Sequence, residues 1–328
     1  MHSRAVMQNH ESSKIYKKKD MKKAKYQLFD DLTFESKVIE TTKGKVEYFL
    51  SDEGNKDKPV VICSHGGIGG VDQSRLMLEW VNKDKYRLLC VSRPGYLLTP
   101  LESGQSIEAQ ADLFAALLDS LEIRKTFMVS ASAGGPPAFT FAIKYPEKLL
   151  GLIAIDSVSG FYDMPETVGP VSAMLFTSQI GQKLLNFIGR KKPDWFASEI
   201  FKSEGYFTKL QLNNHIDYVL NDEKSKQFML AFMNTMNPYK PRKPGTDNDM
   251  KMYKLLTHLQ VEKIEVPTLI IHGTHDADVK FYDGVYAYEN IRNAQRYWIE
   301  EGSHLGFWLN KDSKKAQLFA QNFLDNLI

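Results

Sequence analysis

From residue 60 to the C-terminus, short runs of apolar and β-branched residues alternate with longer segments of helical periodicity. Val60-Val61-Ile62-Cys63, Tyr86 to Val91, Thr126 to Ser130, Leu149 to Ile155, Val266 to Ile271 and Arg296 to Glu300 read as strands. Helices are expected near 72–82, 107–121, 134–145, 280–291 and 312–327. A strand apolar on both faces must be covered on both, and a parallel neighbour needs a long crossover. The expected fold class is therefore α/β, a mostly parallel central sheet flanked by helices. An opening hairpin is expected from Ser36 to Glu40 and Lys45 to Leu50, joined through Thr41-Thr42-Lys43-Gly44.

One stretch breaks the alternation. Residues 157–262 contain no strand pattern and read as a helical cap inserted after the sixth strand, between a core of 26–156 and 263–328. Seven of the twelve methionines fall in it (Met164, Met174, Met229, Met233, Met236, Met250, Met252), with Phe161, Trp195, Phe196, Phe228 and Phe232. Such side chains line adaptable apolar pockets, although for each taken singly a place in the insertion's own core is the simpler reading.

The chain carries a net charge of +2, yet its first 25 residues alone hold eight Lys and Arg against Glu11 and Asp20. Residues 1–25 read as a basic disordered tail on an acidic body, without the aromatic interleaving of a nucleic-acid arm, so no nucleic-acid partner is expected. The lysines are not followed by an apolar signal region, and nothing approaches the roughly 18 apolar residues of a membrane span. Cys63 and Cys90, each inside an apolar strand, fit buried thiols of a reducing compartment, and a cytoplasmic location is expected.

The chemistry concentrates where strands should end. In Val129-Ser130-Ala131-Ser132-Ala133-Gly134-Gly135 a strand turns into a helix, with small residues two positions to either side of Ser132. A turn that tight needs small flanks and leaves the seryl oxygen exposed at the carboxyl edge of the sheet. Ser130 stands where the usual pattern has glycine. Pro136 and Pro137 fall in the first helical turn, where an N–H has no acceptor to lose. A seryl hydroxyl needs a base, and His304, in Glu301-Gly302-Ser303-His304 after the last expected strand, can return to that edge. Asp276, just after Ile270-Ile271-His272-Gly273, is the expected acid, with Asp156 as runner-up and Asp278 as a further rival. The order Ser132, Asp276, His304 matches acyl hydrolases. For the oxyanion, the loop Ser64-His65-Gly66-Gly67-Ile68-Gly69-Gly70 offers Gly67 or Ile68, with Ala133 as second donor. His272, His275, Asp276 and Asp278 match no zinc signature, so neither a metal nor a cofactor is expected.

Taken together, the His65-Gly66-Gly67 loop, Ser92-Arg93-Pro94-Gly95-Tyr96, the Ser132 turn, Asp276 and His304 resemble the α/β-hydrolase superfamily over residues 36–328. The His-Gly-Gly and Ser-Arg-Pro-Gly-Tyr segments are similar to those of proline iminopeptidase-like, cap-bearing hydrolases. The resemblance implies a serine hydrolase acting through an acyl-enzyme on a small-molecule substrate. The apolar insertion favours a small to medium hydrophobic ester. An amide, a lactone or a carbon–carbon bond cleaved by the same residues is the alternative, and a non-catalytic ligand-binding protein is the rival from another class.

Overall fold

The computed structural model describes residues 23–162 and 191–328, with 178, 180, 181, 184 and 187 between them. Most of the basic tail, together with Met164 and Met174, thus lies outside the described residues. Nine strands form one sheet: β1 (Lys23–Phe29), β2 (Leu32–Thr41), β3 (Gly44–Leu50), β4 (Val60–Ser64), β5 (Arg87–Val91), β6 (Thr126–Ala131), β7 (Leu149–Ile155), β8 (Thr268–Gly273) and β9 (Gln295–Ile299). Their order across the sheet is β1-β2-β3-β5-β4-β6-β7-β8-β9. The first three pair antiparallel and β3 joins β5 antiparallel, while every pairing from β5 to β9 is parallel.

β1 corrects two expectations. It takes in residues 23–25, assigned above to the tail, and it makes the strand before the insertion the seventh instead of the sixth. Its lysines hid it, yet lysine belongs on an edge strand, where charge blocks pairing with other chains. Here Lys23 reaches Glu35 across the pair at 2.8 Å, and Tyr26 donates to the carboxylate of the buried Glu47 at 2.7 Å.

The alternation of side chains along a strand supplies a core to each face. On β4, Val61 and Cys63 join one cluster with Leu76 and Phe323, whereas Val60 and Ile62 join another with Phe114 and Phe139. Each fully buried branched side chain of this kind contributes about 1.5–3 kcal/mol. The first cluster is covered by α1 (Val71–Met77) and α10 (Ser313–Asp325), the second by α2 (Ile107–Ser120), α3 (Gly135–Lys144) and α8 (Phe281–Asn290). Ser106 caps α2 by accepting from Ala109 N–H, and α3 starts on Gly135-Pro136-Pro137 as expected. A one-turn α9 (Gly306–Leu309) precedes α10.

Between β7 and β8 lie α4 (Pro193–Glu204), α5 (Lys209–Asn221), α6 (Glu223–Asn234) and α7 (Lys243–Tyr253). Two buried ion pairs tie them to the sheet side of the molecule. Arg93 meets both oxygens of Asp249 on α7, at 2.9 and 2.6 Å, and Arg242 meets both oxygens of Asp72 on α1, at 3.0 and 2.6 Å. Midway along the insertion, Gly205 bridges antiparallel to Asp276, and Glu204 C=O accepts from the N–H groups of Ala277 and His304. Among the described residues, no helix is long and apolar enough to cross a membrane.

Candidate active site

β6 delivers Ser132 into a 3₁₀ turn, Ser132–Gly134, that runs on into α3. Ser132 has φ +52°, a left-handed backbone that only a strained turn imposes on serine. Gly134 must lack a side chain, because a Cβ there would collide with Ser64 C=O on β4. The other flank explains the missing glycine: Ser130 is fully buried, and its hydroxyl pairs with Ser157 Oγ at 2.9 Å. A serine at that position therefore has a partner and room.

The loops after β8 and β9 converge on the same edge. Asp276 Oδ1 accepts from the N–H groups of Asp278 and Val279, at 2.9 and 3.0 Å, which fixes its carboxylate. Its Oδ2 lies 2.8 Å from His304 Nδ1. The other ring nitrogen, Nε2, stands 3.2 Å from Asp278 Oδ2, and Asp278 Oδ1 accepts from Tyr162 OH at 2.5 Å. Burial disfavours a charged ring, but the Asp276 and Asp278 carboxylates outweigh it and hold His304 well above the ordinary histidine value. Ser132 and His304 line one cavity of about 190 Å³ without a hydrogen bond between them. Catalytic contacts are often open in a substrate-free site.

Gly67, Ile68 and Ala133 line that cavity too. Ala133 sits in the first turn of a helix, where an N–H has no intrahelical acceptor. Ile68 has φ +54°, a strained conformation for a β-branched residue. The loop is held by His65, whose Nδ1 donates to Gly66 C=O at 2.7 Å while Nε2 accepts from Arg93 N–H at 3.0 Å. Burial keeps that ring neutral, as the tautomer requires. Arg93 Nε also donates to His65 C=O at 3.0 Å, so the Ser-Arg-Pro-Gly-Tyr segment braces the glycine loop.

Asp156, the runner-up acid, is not the carboxylate hydrogen-bonded to His304, which is Asp276. Asp156 Oδ1 accepts from Gly273 N–H at 2.8 Å and lies 3.9 Å from His272 Nε2, while its Oδ2 has no partner among the described residues. Burial pushes its carboxyl up to about 7. His272 sits behind the acid: Nε2 is 3.3 Å from Asp276 Oδ2 and 2.9 Å from Val279 C=O. Burial opposes its charge, but the hydrogen bond with Asp276 and the Asp156 carboxylate raise it to about 9.

Two groups bring three possible metal-ligand atoms within 4.8 Å, Asp156/His272/Asp276 and Glu204/Asp278/His304. His275 belongs to neither; its Nδ1 pairs with Thr274 Oγ1 and its ring stacks on Phe207. In the second group, His304 and Asp278 already have the protein partners Asp276 and Tyr162.

Of the insertion residues singled out above, Met233, Met236, Met250 and Phe232 line the cavity. Met229, Phe196 and Phe228 pack into the core, and Phe161 and Trp195 are exposed. Gln73, Tyr162 and Glu204 also line the cavity and carried no signal in the sequence, because nothing local ties them to the strand ends.

A strained serine turn, a histidine–carboxylate pair and a glycine loop at one sheet edge are the features expected of the hydrolase class of α/β proteins. The family model of the alpha/beta hydrolase fold matches residues 59–311, and the chain belongs to that family. It is 24% identical over 285 residues to the uncharacterized hydrolase YcgS of Bacillus subtilis, covering 86% of this chain and 96% of that protein. It is 22% identical over 266 residues to the bifunctional esterase/perhydrolase DCH of Acinetobacter calcoaceticus, covering 78% and 88%. The solved alpha/beta hydrolase fold protein from Nakamurella multipartita superposes with a TM-score of 0.82 at 28% identity, covering 88% of this chain and 98% of that one. The protein is a hydrolase of this fold.

Proposed function

We propose that the chain is a serine hydrolase that cleaves a small to medium, mostly apolar ester, with Ser132 as nucleophile, His304 as base and Asp276 as orienting acid. The observation that carries this reading is the meeting in one cavity of Ser132, held at positive φ, and His304, held by Asp276 through Nδ1. Ser132 Oγ attacks the carbonyl carbon and its proton passes to His304 Nε2. The resulting oxyanion takes hydrogen bonds from Gly67 or Ile68 and from Ala133, His304 protonates the leaving group, and water then releases the acid. For this, Nε2 has to exchange Asp278 for Ser132 when substrate enters. The helical insertion serves as the cap, giving the cavity its apolar wall through Ile200, Phe232, Met233 and Met236. Two free, buried cysteines on adjacent strands, Cys63 and Cys90, support a cytoplasmic setting.

One observation favours a second reading. Glu204 and Asp278 face the cavity, and among the described residues no lysine or arginine lines it. Burial and the nearby Asp278 push Glu204 up to about 8. At that value Glu204 keeps its proton at neutral pH and gives it up only when a cation enters, so the wall resists a further carboxylate and accepts a cationic group such as the α-ammonium of an aminoacyl amide. A fluorophosphonate is expected to label Ser132, and S132A to lower turnover of p-nitrophenyl esters by at least about 10³-fold. Labelling elsewhere, or unchanged turnover in S132A, contradicts the nucleophile assignment. Faster cleavage of aminoacyl-arylamides than of esters would select the second reading.

A further inference from the structure

Gln73 lines the active-site cavity from α1 and is fully buried. Neither its Oε1 nor its Nε2 has a hydrogen-bond partner among the described residues. Its neighbours contrast with it. Asp72 is engaged by Arg242, and Ser74 Oγ donates to Val91 C=O at 2.7 Å. A buried carboxamide with both ends unmatched is costly to the fold, and a turn of the side chain toward the cavity would match it with whatever binds there.

The amide also stands beside the reacting centre. A methyl group on Gly66 would lie 3.2 Å from Ser132 Cβ and 3.4 Å from Gln73 Oε1, so the two side chains flank one glycine of the loop. We propose that Gln73 is a substrate-binding residue whose carboxamide takes a neutral hydroxyl or amide group carried within a few bonds of the carbonyl that Ser132 attacks. The proposal rests on Ser132 as nucleophile. The chemistry of the partner follows from the amide itself, which is uncharged and offers one acceptor and two donors. A carboxylate would meet only the donors and would face Glu204 and Asp278. An ammonium would be drawn to those carboxylates instead.

A site built to hydrogen-bond a substrate group penalises the analogue that lacks it far more than an apolar pocket penalises a missing methylene. The test is a binding comparison, so that it does not depend on turnover. In S132A, p-nitrophenyl butanoates bearing a hydroxyl or carboxamide at C2, C3 or C4 are titrated by calorimetry beside the unsubstituted ester. At least one substituted ester is expected to bind ten times or more tighter than the parent. That preference should disappear in S132A/Q73L and in S132A/Q73M. Q73L should also melt no lower than the parent protein, since it removes an unmatched polar group. Equal affinities across the panel, no binding of any member, a preference that survives Q73L, or a Tm drop of several degrees in Q73L would each overturn the assignment. Preferential binding by a protein that cleaves none of the esters would keep Gln73 and remove the nucleophile.

Discussion

His304 is gripped at both ring nitrogens, by Asp276 at 2.8 Å and Asp278 at 3.2 Å, and a base held that way is reluctant to give up its charge. In the role of base proposed for it, His304 works only when neutral, so activity should fall on the acid side of its raised pKa. D278N removes one of the two carboxylates, lowers the pKa and should move the acid limb of the kcat/KM profile toward lower pH. An unmoved or upward-shifted limb would contradict the geometry. The placement of Asp276 was readable from sequence because the loop after a parallel strand must open at the carboxyl edge. Asp278 read only as a rival for the same role, since no local pattern shows how the loop after β8 winds. Asp276 Oδ1 sets that winding by accepting from the N–H groups of Asp278 and Val279, and both carboxylates then meet one ring. Asp156 also ends a strand, but its Oδ1 accepts from Gly273 N–H, whereas it is Asp276 that lies within hydrogen-bond reach of His304.

At the level of elements, the alternating strands and helices were legible because burial on both faces leaves a near-continuous apolar signature. β1 was not, because an edge strand carries the charge that makes it look like tail. The insertion was legible only as helical. What fastens it is the Arg93–Asp249 pair, 156 residues apart in sequence and invisible to any local pattern. Removing one partner of a buried pair leaves an uncompensated charge, so D249A should destabilise by about 3–5 kcal/mol in urea unfolding. A loss below about 1 kcal/mol would mean that the pair is far more hydrated than its burial implies. Tyr96 OH, which donates to the same carboxylate at 2.6 Å, would lose its acceptor in the same variant.

For the molecule as a whole, the site sets the pH dependence of stability. Asp156 is pushed from 3.8 to about 7, Glu204 from 4.5 to about 8 and His272 from 6.5 to about 9. Each raised value means that the native protein keeps a proton over a range where the unfolded chain has already released it. With fewer protons bound when unfolded, stability falls as pH rises. Tm should therefore decline from about pH 5 to about pH 9, and D156N should flatten the lower part of that slope, as followed by thermal denaturation in a buffer series. A Tm rising through this window would show that these groups are not protonated as described. The seam where Gly205 bridges Asp276, and where Glu204 C=O holds the N–H groups of Ala277 and His304, bears on how such a protein can diverge. The insertion proposed to shape specificity and the loops that hold His304 and Asp276 share one strip of backbone. An exchange of the insertion between relatives would carry the alignment of His304 and Asp276 along with it, so on this reading new substrate ranges are reached more readily by point changes in its apolar wall than by wholesale replacement.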